Sequence, residues 1–194
     1  MIPHSPCSIR FVEIGDAPAL FEAAVASRAE LAPWLPWCHP GYCIEESRQW
    51  VEQQPARREA GTEYNFAIID GNGTYCGGCG LNAIDTVNLR ANLGYWVRTS
   101  HARQGLATHA VCLLADWAFE HTALNRLEIV AATRNGASLR VAEKAGAERE
   151  GVARARLVLH GEIHDAVVFS IVRSRWTAAP ALSPRRVARL GGGA

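Results

Sequence analysis

The stretch GYWVRTSHARQGLATHAVCLLADWAFEH, residues 94–121, changes chemistry halfway along. Gly94-Tyr95-Trp96-Val97-Arg98 is aromatic and β-branched and reads as a buried strand. From Leu106 onward, Leu106, Ala110, Leu113, Leu114, Trp117 and Ala118 recur at helical spacing and define one apolar face. Between the two lies a short polar turn with Gly105 at the mouth of the helix. A buried strand that turns directly into an amphipathic helix requires that helix to pack back on a sheet, which restricts the chain to layered folds containing both element types.

The rest of the sequence extends that pattern. Ser8 to Ile14 alternates as a first strand, and Asp16 is placed to cap a helix starting near Pro18. Leu31 to Trp37 is too proline-rich for a regular helix. A second helix is predicted from about Ile44 to Arg58. Strands are predicted at Asn65–Asp70, Cys76–Asp85 and Ala91–Arg98, the first two joined by the turn Asp70-Gly71-Asn72-Gly73. After the long helix come a strand at Leu127–Ala132 and a short helix at Ser138–Ala145 that Gly146 can terminate. Strands at Val152–Leu159 and His164–Val172 close the order. The fold class is therefore α+β, a mixed sheet with helices packed on it, in one domain spanning residues 1–175. Residues 176–194 are small, basic and rich in proline and glycine, and read as a flexible tail.

Composition excludes several classes of function. A net charge of +1 calls for neither nucleic acid nor an anionic membrane as partner. No apolar run approaches the roughly 18 residues of a membrane span, and the N-terminus has no apolar signal core, so a cytoplasmic protein is expected. Six cysteines include the pair Cys76-Gly77-Gly78-Cys79. Only one such pair has metal-binding spacing, and residues three apart on a strand face opposite sides, so free, mostly buried thiols and no metal are expected.

The turn before the long helix carries the functional signal. A helix N-terminus exposes N–H groups with no intrahelical acceptor, and the helix dipole adds positive charge there. A glycine at the entry lets phosphate oxygens approach the main chain. Gly105, Leu106 and Ala107 meet that need, with Arg103 and Thr108 able to add a charge and a hydroxyl. The chain has neither GxxxxGK[ST] nor a GxGxxG opening a βαβ unit, so a nucleoside-triphosphate loop and a dinucleotide site are unsupported.

These residues, followed by NRLEIVAATRNGASLRVAEKAGAEREGV and HGEIHDAVVFSIV, resemble the GCN5-related N-acetyltransferases (GNAT), in particular the RimJ/RimL-type ribosomal-protein N-terminal acetyltransferases. Trp34-Leu35-Pro36-Trp37 and Gly80-Leu81-Asn82-Ala83-Ile84-Asp85 fit the same branch, and the resemblance spans roughly residues 8–174. It implies the GNAT fold, acetyl-CoA as co-substrate, an amine acceptor, and dimers as a common state. The family's diphosphate loop, Ala102 to Ala107 here, is matched at Gly105 and Ala107 but departs at Ala102, where glutamine or arginine is usual; Arg103, Gln104, Leu106 and Thr108 are the neighbouring residues expected to contact the cofactor with them. The resemblance also implies a bulge in the strand ending Tyr95-Trp96-Val97-Arg98, whose backbone would bond the pantetheine arm and polarise the thioester. Asn135 and Ser138 match its second cofactor motif, with the Ser138 hydroxyl near the sulfur as a donor to the leaving thiolate. Trp34, Trp37 and Asn82 would line the acceptor pocket.

Asn92–Val97 holds no carboxylate, so a base on that strand is missing. Glu128, Glu162, His164 and Asp165 are candidates, with Glu162 and Asp165 ranked ahead because the family's last hairpin borders the acceptor. An α-amine with pKa near 7.7–8.0 is roughly one-third neutral at about pH 7.5, against about one in a thousand for a lysine. An enzyme without a strong base is therefore better suited to α-amines. Protein N-termini are the expected acceptors, with small-molecule amines, or a non-catalytic acyl-CoA-binding module, as alternatives.

Overall fold

The computed structural model describes residues 7–177. Seven strands form one sheet in the order β1-β2-β3-β4-β5-β7-β6. They are β1 (Cys7–Phe11), β2 (Tyr64–Asp70), β3 (Tyr75–Asp85), β4 (Arg90–Val97), β5 (Arg126–Ala132), β6 (Glu148–Leu159) and β7 (Glu162–Val172). All neighbours are antiparallel except β4 and β5. Helices α1 (Ala17–Ala26), α2 (Arg28–Leu31) and α3 (Ile44–Glu59) precede β2, whereas α4 (Leu106–His121) and α5 (Gly136–Lys144) flank β5. This is the GNAT fold that the sequence resemblance implies.

Each sheet face carries its own core. On one, α4 and α5 cover Phe66, Ile68, Leu81, Leu93, Leu127, Ile129 and Phe169. Ala110, Ala115 and Ala118 are fully buried along α4, and small side chains there let the helix axis lie close to the strands. Trp117 fills the remaining space, with its ring 5.6 Å from Phe11, 4.9 Å from Phe66 and 4.9 Å from Tyr64. The C-terminal end of α4 is tied down by Arg173. Its guanidinium donates to the carbonyls of Phe119 and Thr122, at the helix end where intrahelical N–H partners run out, and to that of Leu124 in the following loop. The second core, under α1 and α3, gathers Val12, Leu20, Ala24, Val51, Ala67 and Tyr75.

Three local expectations change in the structure. Asp16 does not cap α1; its carboxylate takes two bonds from Arg10 (2.7 and 2.6 Å) and one from the Glu13 N–H (2.8 Å), closing the turn before the helix. Cys76 and Cys79 face the same core, not opposite sides. The register slips between Ile68↔Gly77 and Ile69↔Tyr75, so a bulge removes one residue of alternation. Gly77 permits that slip, because a Cβ there would lie 2.2 Å from the Trp96 carbonyl oxygen. The bulge expected near Tyr95–Arg98 is also absent: β3 and β4 pair without interruption from Gly77↔Val97 to Asn82↔Asn92, and the irregularity falls in β3 at Ala83 (φ 48°). All six cysteines are free, and Cys43 alone is exposed.

Trp176 is docked rather than part of a tail, its indole N–H donating to Asp116 at 2.7 Å. The remainder of the expected tail, residues 178–194, lies outside the described residues. Among the described residues, no helix is long and apolar enough to cross a membrane.

Candidate active site

The site arises where β4 and β5 part. These strands pair only over Arg90↔Arg126, Ala91↔Leu127 and Asn92↔Glu128. From Leu93 onward the β5-facing side of β4 has no strand partner, and the gap opens into a cleft of about 1580 Å³ that crosses the sheet. A regular β4 beside a diverging β5 thus exposes backbone without needing a bulge in β4.

At one end the cleft reaches the start of α4. Arg103 (φ 63°) and Gly105 (φ 83°) are both left-handed, which reverses the chain in a few residues. Gly105 occupies the N-cap and offers no side chain to the first-turn N–H groups, and a Cβ built on it would meet nothing within 4 Å. Those N–H groups therefore open on the cleft, beside Ala102, Arg103, Ala107 and Thr108. Arg140 and Lys144, on the facing side of α5, line the same cleft. Sequence reading missed both, although Ala137, Arg140, Val141 and Lys144 share one helical face, which was the available signal. Open N–H groups, a helix dipole and three cations fit a phosphorylated ligand. Gln104 turns away and bonds the Ser100 carbonyl at 3.3 Å.

Along the middle, Leu93–Val97 of β4 face Ile129–Ala132 of β5, with Asn135, Ala137 and Ser138 above them. The Tyr95 hydroxyl stands 2.9 Å from the Ser138 carbonyl oxygen and 3.0 Å from its Oγ. Burial pushes the Tyr95 phenol up to about 12, against the opposing pull of the Ser138 bond, so it stays protonated and can donate. Asn135 caps α5, its Oδ1 accepting from the Ser138 N–H at 3.1 Å. That bond fixes the backbone of Ser138 while Tyr95 fixes its hydroxyl.

The other end lies on the opposite sheet face. Gly78, Gly80 and Gly94 floor it, with Gly80 directly across from Gly94 and Gly78 from Trp96. Asn82 closes one side through its Oδ1, which accepts from Asn92 at 3.0 Å. Trp34, Trp37 and Trp96 form the aromatic side, with Trp37 centred 5.7 Å from Trp96 and 5.5 Å from Tyr42. Leu157 and Leu159 of β6 complete that wall, and a strap holds it: His160 Nε2 donates to the Ala32 carbonyl at 2.6 Å, joining the β6–β7 turn to the tryptophan-bearing segment.

The acids ranked as bases stand elsewhere. Glu162 is largely exposed, with His164 4.0 Å away. Asp165 accepts from the Ala155 N–H at 2.8 Å, and Glu128 is bonded by Arg126 at 2.8 Å. None of these lines the cleft. Arg98 also points away, pairing with Glu22 at 2.8 Å. The cleft is lined instead by Glu30, Glu46 and Glu63, and each is engaged. Glu30 accepts from Thr99 at 2.9 Å, and Glu63 from Arg57 at 2.7 Å and Asn65 at 3.0 Å. Glu46 bonds His39 at 3.1 Å and the Cys43 N–H at 3.1 Å, and the His39 imidazole holds its carboxyl below the usual range.

A sheet split at β4 and β5 over an anion-binding helix start defines a class of acyl-transferring proteins, and comparison with known proteins agrees. Residues 8–148 match the family model described as an acetyltransferase (GNAT) domain. The chain belongs to that family and is an acetyl-CoA-dependent acetyltransferase. Within the family its similarity is to the RimJ/RimL-like branch. It is 32% identical over 169 residues to the "Putative ribosomal N-acetyltransferase YdaF" of Bacillus subtilis, covering 87% of this chain and 92% of that protein. A crystal structure of a "Probable acetyltransferase" superposes with a TM-score of 0.81 at 29% identity, covering 91% of this chain and 97% of the other. The fold is also that of Mycobacterium smegmatis RimJ in complex with CoA-disulfide, with a TM-score of 0.82 at 24% identity, covering 91% of this chain and 88% of that one.

Proposed function

We propose that the protein transfers acetyl directly from acetyl-CoA to the α-amine at the N-terminus of a protein. The observation that carries this reading is the cleft itself: it runs from a phosphate-binding helix start, past the Tyr95–Ser138 pair, to a glycine-floored groove whose carboxylates are all engaged. A groove without a free carboxylate suits an amine that is already partly neutral near pH 7.5 rather than a lysine. The branch supports the same acceptor, since the B. subtilis relative is named as a ribosomal N-acetyltransferase.

Each part of the cleft takes one task. The first-turn N–H groups of α4, with Arg103, Arg140 and Lys144, hold the diphosphate of the co-substrate. Unpaired backbone of β4 and the Asn135 side chain hold the pantetheine arm, which brings the thioester. Gly94, where a Cβ would meet nothing within 4 Å, leaves room for an extended chain end between Asn82 and the tryptophans Trp34 and Trp37, while Gly78 and Gly80 make way for the Trp96 indole and the Asn65 amide. As sulfur leaves, the Ser138 hydroxyl donates to it, and Tyr95, whose protonated phenol donates to the Ser138 carbonyl and lies beside the serine Oγ, keeps that residue in position. The amine proton passes to solvent through the open cleft, which removes the need for Glu162 or Asp165 as base.

The test is acetyl transfer to a peptide with a free N-terminus, against the same peptide N-terminally blocked and carrying an internal lysine. The free N-terminus should be strongly preferred. Faster turnover on the lysine peptide would refute the acceptor assignment. Ser138→Ala should lower kcat toward the mild end of the ~10²–10⁴-fold range of general acid catalysis, because a thiolate with pKa near 8.5 leaves with little help. Unchanged kcat in that variant would remove Ser138 from the mechanism.

A further inference from the structure

Beside the phosphate-binding turn, three side chains from three separate elements converge. Asp70 ends β2, Cys76 sits at the start of β3, and His101 lies in the turn between β4 and α4. One ligand-type atom from each falls within 4.8 Å of the other two. We propose that Asp70, Cys76 and His101 form a binding site for a single zinc-like divalent cation, independent of the acetyl-transfer chemistry.

Geometry comes first. His101 Nε2 stands 3.6 Å from Asp70 Oδ2, too long for a hydrogen bond. Two ligands at zinc–N and zinc–O distances of about 2.0–2.1 Å around a tetrahedral ion stand about 3.4 Å apart, and a thiolate at about 2.3 Å stands about 3.6 Å from either. The observed separations need only a modest inward turn of side chains. The Asp–Cys–His donor set is also what zinc takes, and magnesium or calcium would not favour a thiolate.

Surrounding groups already orient the donors. Asp70 Oδ1 accepts from the Asn72 N–H at 2.9 Å and the Thr74 N–H at 2.8 Å, leaving Oδ2 toward His101. His101 Nδ1 is 2.9 Å from Ser100 Oγ, so Nε2 is the nitrogen presented to the cluster. Cys76 is held by its backbone, whose carbonyl accepts from the Arg98 N–H at 2.8 Å, and its thiol faces the Thr74 carbonyl at 3.3 Å. Such supporting bonds fix tautomer and orientation in established metal sites.

Charge balances as well. On binding, the cation forms the sulfur bond and the thiol proton leaves to solvent. One divalent cation with one carboxylate and one thiolate is then neutral, which suits a site where Cys76 is fully buried and Asp70 and His101 are partly so. His101 also belongs to the cleft wall, so solvent reaches the ion's fourth position from there. Three protein ligands with a solvent-accessible fourth position are the ligand count of an open zinc site.

The experiment is titration of the purified full chain with Co²⁺, read by the near-ultraviolet thiolate-to-cobalt charge-transfer band, then competition with Zn²⁺. One Co²⁺ per chain, displaced by Zn²⁺, is expected. The band should vanish in Cys76→Ser, and Co²⁺ affinity should fall at least about tenfold in His101→Ala, a partly buried turn position outside the hydrophobic core. The proposal is overturned by absence of the band in the wild type, by its survival in Cys76→Ser, which would locate binding at another cysteine such as Cys43, or by unchanged affinity in His101→Ala. Acetyl-transfer activity plays no part in the readout, so this result is separate from the functional assignment.

Discussion

Placing glutamate at Gly105 tests the anion cradle where it is most specific. In the free protein the new side chain meets open space, so the structural cost is the left-handed backbone alone, about 1–2 kcal/mol for a residue with a Cβ at φ 83°. At about 2–4 °C per kcal/mol for a domain of this size, the apo midpoint should drop by roughly 2–8 °C. Ligand binding is affected more. A carboxylate about 5 Å from a phosphate charge, at an effective dielectric near 20, adds about 3 kcal/mol of repulsion, or about two orders of magnitude in Kd. Thermal unfolding titrated with acetyl-CoA separates the two effects. At a concentration about 100 times the wild-type Kd, the wild type gains about 2.7 kcal/mol. A variant binding about 100-fold more weakly gains only about 0.4 kcal/mol under the same conditions. Gly105→Ala is the control, carrying the backbone strain without the charge, and should retain more of the ligand response. Should Gly105→Glu respond to acetyl-CoA as the wild type does, the diphosphate is not held at this helix start and the assignment of the cleft's polarity fails.

Further tests address other parts of the molecule. Tyr95→Phe should lower kcat while leaving the KM for acetyl-CoA nearly unchanged, since it removes the bonds that aim Ser138 and no cofactor contact; a rise in that KM alone would place Tyr95 in binding instead. His160→Ala cuts the strap to Ala32 and should raise the KM for the acceptor peptide without altering acetyl-CoA affinity, read by steady-state kinetics and calorimetry. Trp117→Ala should destabilise the fold by about 3–5 kcal/mol in urea unfolding, because the ring sits between Phe11, Tyr64 and Phe66 with little room to collapse. Glu150 is held down to about 2 by its bonds from Arg126, with burial opposing, so its folded pKa is below the unfolded value. Its contribution is therefore present above the ordinary carboxylate range and lost as pH falls from about 4.5 toward 2. Stability measured against pH should lose part of that acid limb in Glu150→Gln, and an unchanged limb would assign it to other carboxylates.

Much of this arrangement was written locally in the chain. The periodicity of residues 106–118 fixed α4 because an apolar stripe at helical spacing has one way to be buried, and Gly105 fixed its start because few residues accept that backbone sign. Alternation and turn residues similarly marked most strands, with the largest miss at the beginning of β6, where Glu148, Arg149 and Glu150 are exposed and polar and carry no apolar signal. Asp16 illustrates the opposite failure: its residue type fits a cap, but Arg10 in β1, six positions earlier, competes for its carboxylate and wins with two short bonds. Cys76 and Cys79 misled for a related reason, since a strand's alternation holds only until a bulge resets it.

The sequence by itself determined the element order, the glycine turn that opens α4 and which face of α4 is apolar, because each depends on residues within a few positions of one another in the chain. Only the tertiary structure decided the cleft. The parting of β4 from β5, the glycine floor built from two strands, the Tyr95–Ser138 bond across 43 positions and the His160–Ala32 strap across 128 are products of topology. It also decided which acids line the cleft, placing Glu30, Glu46 and Glu63 there rather than the hairpin residues Glu162 and Asp165. The physical reason is common to all of these: a side chain's role follows from the partners that folding brings to it, and local pattern does not encode partners that lie many residues away.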